Sequence, residues 1–254
     1  MTRTRKGGRW TVDSGAVFIG TSGWTYNDWA EKFYPREVKG SERLAFYVTR
    51  FDTVEINATF YRLPTQTMLD AWNGRLRDGF HLVVKGSRVI THLKKLLDCR
   101  ESLELFLDKV KQLRALRAIL WQLPPSLGKD IDRLERFLST LPQDVRLAVE
   151  FRHKSWWDDE VAALLTRHGA AFVAISHPKL PNTIYPTADF LYLRFHGLDR
   201  QLYRYDYTDN ELADWANRLK PYLKARVIYA FFNNDYQANA PRNARTFRTI
   251  LGAK

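Results

Sequence analysis

The chain has 254 residues, 45% of them hydrophobic, which is enough for one sizeable core, yet no apolar run reaches the length of a membrane span. Lysine and arginine number 40 against 28 acidic residues, and the formal net charge of +12 favours polyanionic partners, although it is equally typical of a soluble basic protein. The single cysteine, Cys99, excludes an intrachain disulfide and a cysteine-based metal site, as expected for a cytoplasmic protein.

The first segment, MTRTRKGGRW, is basic and lacks the apolar stretch of a signal peptide. Residues 1–15 are interpreted as a disordered basic arm, with a solvated tail favoured over the alternative of an arm that contacts phosphates. Residues 16–254 are predicted to form a single domain, because neither a linker nor a low-complexity segment divides them.

Eight short β-rich segments alternate with segments of helical period along this domain. The predicted strands are 16–20, 53–57, 80–85, 117–122, 146–151, 171–176, 190–195 and 226–232. Between them, apolar residues recur at helical spacing, as in Leu103, Leu107 and Val110, whereas the sixth connection, HPKLPNTIYP, has no period. The alternation predicts an α/β, TIM-barrel-like (β/α)8 fold, with a doubly wound open sheet as the alternative.

Five of the predicted strands end in polar residues, although strands covered on both faces read as apolar runs. Because side chains alternate along a strand, these polar residues share the face opposite the apolar ones that meet the helices. They are Glu55 and Asn57, Lys85, Gln122, Glu150 and Arg152, and Arg194 and His196. We expect them to point into the barrel at its C-terminal end, where such barrels carry their active sites.

The charges within this set should be paired, because an isolated buried charge costs roughly several kcal/mol. Their signs predict a pair between Glu55 and Lys85, and a pair between Glu150 and either Arg152 or Arg194. A self-satisfied ion network that fills the barrel is the alternative to a ligand or catalytic site. The ligand or catalytic site is favoured, since barrel interiors are normally filled by branched apolar residues.

Two loops carry more aromatic residues than a plain connection needs. The first, TSGWTYNDWAEKFYP, contains Trp24 and Tyr26, and its aromatic side chains either stack on bases or sugars or fold over the barrel mouth as a lid. The second, DRQLYRYDY, interleaves arginines with tyrosines, which is a mild signal for nucleic-acid binding.

Further candidate ligand-binding residues follow other strands. His92 and His153 lie in or near loops that follow predicted strands. Asn234 and Asp235 follow the last strand, before a helix whose first turn suits Pro241. Barrels of this type often hold phosphate at such a helix start, although an ordinary polar loop with a helix cap is equally compatible with the pattern.

Several motifs together resemble one family. GTSGWTYNDW…FYP, VEINATFYRLP, VKGSRVITH, QLPPS, AVEFRHKSWW, RFHG and FFNND…NA follow the pattern of domain of unknown function family 72, also called YecE-like, from about Gly20 to Ala244. The resemblance implies a TIM-barrel-like fold but no activity, because the family's biochemical role is not established. One departure is Glu31, where the family pattern leads us to expect a glycine.

Two hypotheses about function share an anion-seeking barrel mouth. Nucleic-acid binding or processing is slightly favoured by the net charge and the aromatic loops. The alternative is a metal-free enzyme or binder for a small phosphorylated or carboxylated metabolite, with Arg152 and Arg194 clamping the anion. The candidate catalytic residues are Glu55, Lys85, Glu150 and His196.

Other function classes are disfavoured. A metal site built from Glu55, Glu150, His196 and Asp235 would have cationic side chains beside it, so no metal is predicted. No GxGxxG and no P-loop indicates a nucleotide cofactor. Glycoside hydrolysis is disfavoured because Gln122 and Arg194 stand where such barrels commonly carry carboxylates. A non-catalytic scaffold remains an alternative, and the oligomeric state is not determined by the sequence.

Overall fold

A computed structural model describes residues 15–253 and two short strands of the preceding arm, β1 (Arg5–Lys6) and β2 (Arg9–Trp10). These two strands pair antiparallel. The predicted disorder of residues 1–15 otherwise falls outside the described residues, so it stays a prediction. The single domain expected from residue 16 onward stays a prediction as well.

Within residues 15–253, the strands form two parallel sheets. The five-stranded sheet contains, side by side in chain order, β4 (Thr53–Ile56), β5 (His81–Lys85), β6 (Leu116–Gln122), β7 (Arg146–Glu150) and β8 (Ala171–Phe172). The four-stranded sheet has the order β3 (Val17–Thr21), β11 (Val227–Phe232), β10 (Phe190–Phe195) and β9 (Ala174–Ser176). Each predicted strand is present to within one residue at its ends, except that the sixth is interrupted at Val173.

The two sheets meet at two seams. At one seam, β8 and β9 flank Val173 in a single extended segment, so the chain passes directly from one sheet to the other. At the other seam, Ser22 forms an isolated parallel bridge with Glu55. Gly20 permits this approach, because a Cβ atom there would lie 2.3 Å from the carbonyl oxygen of Thr53. The fold is therefore α/β and TIM-barrel-like, with parallel strands throughout both sheets.

Helices follow most of the strands. They are α1 (Arg43–Tyr47), α2 (Ala58–Tyr61), α3 (Gln66–Arg75), α4 (Arg100–Val110), α5 (Ile131–Ser139), α6 (Asp159–Arg167), α7 (Asp209–Leu219) and α8 (Asn239–Leu251). The segment between β9 and β10 forms no helix, as its lack of period predicts, and Pro241 lies in the first turn of α8. No helix in the described part of the chain is long and apolar enough to cross a membrane.

Alternation along the strands divides the apolar side chains into two layers. The inner layer holds residues such as Val83, Leu120, Ala148 and Phe231. The outer layer packs the opposite faces of the strands against the helices. Cys99 belongs to the outer layer, where it is buried just before α4. Near the C-terminal ends of the strands the inner layer becomes polar, and this end carries the candidate site.

Candidate functional site

Buried charges from three strands meet at the C-terminal end of the inner layer. Arg194 on β10 donates from Nη2 to Glu55 Oε1 at 2.6 Å and from Nη1 to Glu150 Oε2 at 2.7 Å. The Tyr192 hydroxyl donates to the second oxygen of Glu55 at 2.6 Å, and Arg152 pairs with the second oxygen of Glu150. We call these five residues the carboxylate–arginine network.

The network leaves no carboxylate oxygen free. Both glutamates are 0% exposed and Arg194 is 1% exposed, so their charges are compensated by one another and not by water. Burial alone would raise the pKa of Glu150, but Arg152 and Arg194 hold it well below its usual range. The expected pairing of Glu150 with an arginine is confirmed with both candidates, and a carboxylate held ionised in this way is a poor general base.

Lys85 stands beside this network without a partner of opposite charge. The predicted pair between Glu55 and Lys85 is wrong, because Arg194 and Tyr192 occupy the oxygens of Glu55. Among the described residues Lys85 forms no ion pair, and its Nζ lies over the ring of Phe60, 4.2 Å from the centroid. Burial, and then the neighbouring Arg194, lower the pKa of Lys85 to about 7.

His196 is buried and neutral. Arg152 Nη2 donates to His196 Nε2 at 2.9 Å, and since a guanidinium can only donate, the imidazole proton lies on Nδ1. The Asn233 Nδ2 atom lies 3.1 Å from His196 Nδ1, and a flip of the Asn233 amide places its oxygen where it accepts that proton. Burial, and then Arg152, hold the pKa of His196 well below its usual range, so the ring does not carry a charge near neutral pH.

An open cavity of about 700 Å³ lies at the same end of the strands. Four of the residues predicted from sequence line it: Tyr26, Asn57, Lys85 and Asp235. The other lining residues are Asp28, Tyr61, Leu202, Tyr203, Arg204, Asn233 and Tyr236. A smaller cavity of about 130 Å³ lies at the opposite ends of the strands and contains none of the candidate residues.

The aromatic rim of the cavity has a distinctive exposure. Tyr61 is 69% exposed, Tyr203 40% and Tyr236 37%, and among the described residues no other aromatic side chain is as exposed as these. Tyr203 has a left-handed backbone with a φ of 72°, fixed by a hydrogen bond from its N–H to the carbonyl of His196 at 2.8 Å. A non-glycine residue in this region is strained, and such strain tends to occur at functional sites. We call these three residues the tyrosine rim.

One wall of the cavity is acidic. Burial, and then the neighbouring Asp28, raise the pKa of Asp235 to about 6. Asp28 is itself fixed, because its Oδ2 accepts the Gln237 N–H at 2.6 Å. The cavity therefore faces two groups that titrate near neutral pH, the Lys85 amine and the Asp235 carboxyl.

The first loop supplies a packed layer more than a ligand surface. Trp24 is buried against Trp72, with ring centroids 6.1 Å apart, so its predicted ligand contact is not supported by its position. Trp29, Phe33 and Tyr34 are likewise buried. Only Tyr26 of this group lines the cavity. The loop therefore packs most of its aromatic side chains into the outer layer, and the alternative of a lid over the barrel mouth stays a prediction.

Two further predicted ligand-binding residues have structural partners away from the cavity. His153 is exposed and caps a short turn, where its Nδ1 lies 2.8 Å from Ser155 Oγ. Asn234 is fully buried and donates to Asn243 Oδ1 at 2.7 Å, which ties the last loop to α8. Neither residue is among those that line the cavity.

Two others lie beside the network. Gln122 ends β6 in register with Glu150. The His92 ring meets the Phe60 ring edge to face, with centroids 4.9 Å apart. Burial, and then Lys85, lower the pKa of His92 to about 4. His92 is therefore a neutral neighbour of the lysine.

The described residues contain no group of three or more His, Cys, Asp or Glu side chains arranged to hold a metal ion.

The molecule is a TIM-barrel-like α/β protein with an open cavity above a buried charge network. The family model described as "Protein of unknown function DUF72" matches residues 18–254, so the chain belongs to that family.

Relatives of the chain support this membership. The UPF0759 protein YunF of Bacillus subtilis is 23% identical over 92% of this chain and 94% of its own length. A DUF72 family protein from Thermotoga maritima has a similar structure, with a TM-score of 0.83 and 31% identity over 93% of this chain and 99% of that one. Another, from Enterococcus faecalis, gives a TM-score of 0.79 at 21% identity, over 94% and 96%. SacUVDE shares the fold alone, with a TM-score of 0.55 and 10% identity over 93% and 98%.

Proposed function

We propose that the protein binds single-stranded nucleic acid at the cavity mouth and takes one nucleotide into the cavity. The observation that carries this proposal is the tyrosine rim, formed by Tyr61, Tyr203 and Tyr236. Exposed tyrosines placed around a cavity are stacking platforms for bases, whose flat faces any sequence provides. In the part of the chain whose burial is described, the other Phe, Trp and Tyr side chains are buried or half-buried, so the exposure of these three calls for a reason.

The charges around the rim support an anionic ligand. The Arg204 guanidinium lies over the Tyr236 ring, 4.1 Å from the centroid, and Lys85 faces the same cavity. The net charge of +12 adds a long-range attraction for a polyanion. The sequence predicts that Arg152 and Arg194 clamp an anion. In this proposal they instead stabilise the buried glutamates, because both form ion pairs within the carboxylate–arginine network.

We infer further that the two sheets close into an eight-position barrel. The bridge between Ser22 and Glu55 supports closure at one seam. The continuity of the chain through Val173 supports it at the other. Closure of this kind places the polar ends of the strands around a single mouth, as the proposed site requires.

A second candidate is a metal-free enzyme for a small phosphorylated or carboxylated metabolite. It is favoured by Lys85 and Asp235, whose pKa values of about 7 and about 6 suit proton transfer at neutral pH. The cavity volume of about 700 Å³ also suits a small ligand. This candidate does not account for the tyrosine rim.

The proposal is tested by measuring how tightly the protein binds a labelled single-stranded oligonucleotide. Fluorescence anisotropy gives this affinity at about 50 and about 200 mM salt. We expect the affinity to fall steeply with salt, and Tyr61→Ala to weaken binding about tenfold through loss of a stacking contact worth roughly 1–3 kcal/mol. Leu105→Ala is the matched control, because it truncates an exposed side chain on α4.

The result that contradicts the proposal is equal binding by Tyr61→Ala and Leu105→Ala. An affinity that does not change with salt concentration would also contradict the electrostatic part of the proposal. If the protein bound a phosphorylated metabolite but not the oligonucleotide, the second candidate function would be favoured for this cavity.

A further inference from the structure

We propose that Lys85 is a nucleophilic amine that forms an imine with an aldehyde or ketone carbonyl of a ligand held in the cavity. The inference rests on the proposed function only in using the same cavity. The shared ligand chemistry is a carbonyl close to a phosphate. Its source is either an abasic sugar within a nucleic-acid strand or a free phosphorylated sugar.

The charges of the network balance one another and leave no negative charge to pair with Lys85. Two carboxylates, Glu55 and Glu150, face two guanidiniums, Arg152 and Arg194, at contact distance. The network is therefore neutral without the lysine. A third cation beside it is desolvated and repelled by Arg194, and every carboxylate oxygen of the network is already paired with another group. The amine consequently loses its proton near neutral pH and exposes the lone pair that attacks a carbonyl.

The surroundings hold this amine in a fixed place. Lys85 is the last residue of β5, and the Thr59 hydroxyl donates to its carbonyl oxygen at 2.7 Å. The Phe60 ring lies against Nζ and excludes water from one side. His92, whose ring meets the Phe60 ring edge to face, is neutral and offers the amine no anionic partner.

The cavity also supplies groups for the steps that follow attack. Asn57 lines the cavity, and its Oδ1 is buried without a hydrogen-bond partner in the described part of the chain. This oxygen is available to accept a hydrogen bond from the adduct. The Asp235 carboxyl, with a pKa of about 6, exchanges protons readily near neutral pH.

The chemistry balances without an oxidant or a reductant. The lone pair of Nζ forms a bond to the carbonyl carbon, and the C=O π electrons move to oxygen. One proton transfers from nitrogen to that oxygen and gives a carbinolamine. The C–O bond then breaks as the oxygen takes a second proton from the Asp235 carboxyl, water leaves, and the nitrogen lone pair forms the C=N bond of a protonated imine. The remaining N–H proton returns to the Asp235 carboxylate as the neutral imine forms.

Borohydride trapping tests the proposal directly, because the hydride reduces an imine to a stable amine. The intact protein is incubated with ribose 5-phosphate in one arm and with an oligonucleotide containing one abasic site in the other. Sodium borohydride is then added, and the adduct is located by mass spectrometry after digestion. We expect an adduct on Lys85 in at least one arm, and the arm identifies the source of the carbonyl.

The matched variants are Lys85→Met, which should lose the adduct, and Lys129→Met, which should keep it. Lys129 is a suitable control because it is paired with Asp158 and Glu160 and lies away from the cavity. Adducts spread evenly over the lysines, or none on Lys85 with either probe, overturn the proposal. Such a failure leaves the proposed function intact where Tyr61→Ala still weakens oligonucleotide binding.

A second measurement needs no ligand. Trace acylation of the amines between about pH 5 and about pH 10 gives the pH at which each lysine becomes reactive. Lys85 should reach half-maximal labelling about three pH units below the ordinary lysine value of 10.5. Half-maximal labelling of Lys85 at the ordinary value overturns the proposal, even where Lys85→Met is too unstable to trap.

Discussion

Arg194 is the residue on which the charges of the site depend. Its two terminal nitrogens each bind a different glutamate, so one guanidinium joins β4, β7 and β10. Removal of one partner from a buried ion pair typically costs about 3–5 kcal/mol, because the remaining charge stays buried. The network therefore forms a rigid platform beneath the cavity. Its two glutamates hold the arginines in place, which is a positioning role more than a catalytic one.

The unpaired lysine should show itself in the pH dependence of stability. The pKa of Lys85 is about 7 in the folded protein against an ordinary value of 10.5. The unfolded chain thus binds more protons between these values, so the folded state gains stability as pH rises through this window and loses it as pH falls. Lys85→Met should abolish that gain.

Urea denaturation at about pH 7 and about pH 9 measures this effect. We expect the wild-type free energy of unfolding to rise by about 2 kcal/mol more than that of Lys85→Met between the two values. The variant should also be the more stable protein at the lower pH. An identical pH profile for both proteins would mean that the amine is paired or solvated in the folded state.

The sequence predicts the members of the network better than their partners. Alternation along the strands correctly indicates that Glu55, Glu150 and Arg194 share the inner face. It misassigns the partner of Glu55, because the strand period does not show that Arg194 and the Tyr192 hydroxyl both reach this carboxylate. A signal was available, since Tyr192 lies two residues before Arg194 and therefore on the same face of the strand.

At the scale of single elements, the backbone conformation of the first loop explains why the family pattern has a glycine where this chain has Glu31. Glu31 has a φ of 61°, the left-handed conformation that glycine adopts at little cost. Its N–H donates to the carbonyl of Tyr34 at 2.8 Å, which closes the turn between Trp29 and Tyr34. A glycine is thus expected here for a backbone reason, and the glutamate keeps the same turn under strain.

Glu31→Gly should stabilise the protein. The left-handed conformation costs a side-chain-bearing residue about 1–2 kcal/mol, and the extra freedom of glycine in the unfolded chain offsets about half of that. We expect a net gain of roughly 0.5–1 kcal/mol in the free energy of unfolding, measured by urea denaturation. Glu31→Ala is the control and should gain nothing, because it keeps the Cβ atom. A loss of stability in the glycine variant would contradict the strain.

Loops are also where the sequence predicts least. The sequence places Arg204 and Tyr203 in a mild nucleic-acid signal, but it does not reveal that Tyr203 faces the cavity, because its direction depends on a left-handed φ. Tyr61 ends the short helix α2 and has no periodic pattern around it. Neither the strand period nor the helix period constrains such residues, so only the folded structure identifies the rim.

At the scale of the whole molecule, the seam between β3 and β4 depends on Gly20. The strands on either side belong to different sheets and are joined only by the bridge at Ser22 and by close packing. Gly20→Ala would force a methyl group onto the carbonyl of Thr53 and push the sheets apart. Because the same seam carries Glu55, the displacement would also disturb the carboxylate–arginine network.

We expect Gly20→Ala to lower the free energy of unfolding by about 1–3 kcal/mol, the range found for overpacked cores. Gly74→Ala is the matched control, because a Cβ atom on Gly74 in helix α3 meets nothing within 4 Å. That change should be neutral or stabilising by about 0.5–1 kcal/mol. Thermal unfolding of the three proteins under one condition decides the point, and equal behaviour of the two variants would exclude a tight seam.

Cys99 gives the molecule a practical advantage for biophysical work. Burial raises the pKa of its thiol, so the chain's single native sulfhydryl is protected from modification near neutral pH. After the substitution Leu202→Cys, at a cavity-lining residue outside the tyrosine rim, the new thiol would be the one position open to maleimide dyes. The emission of a fluorophore attached there would report occupancy of the cavity for ligands of any chemistry, without a cysteine-free background having to be engineered first.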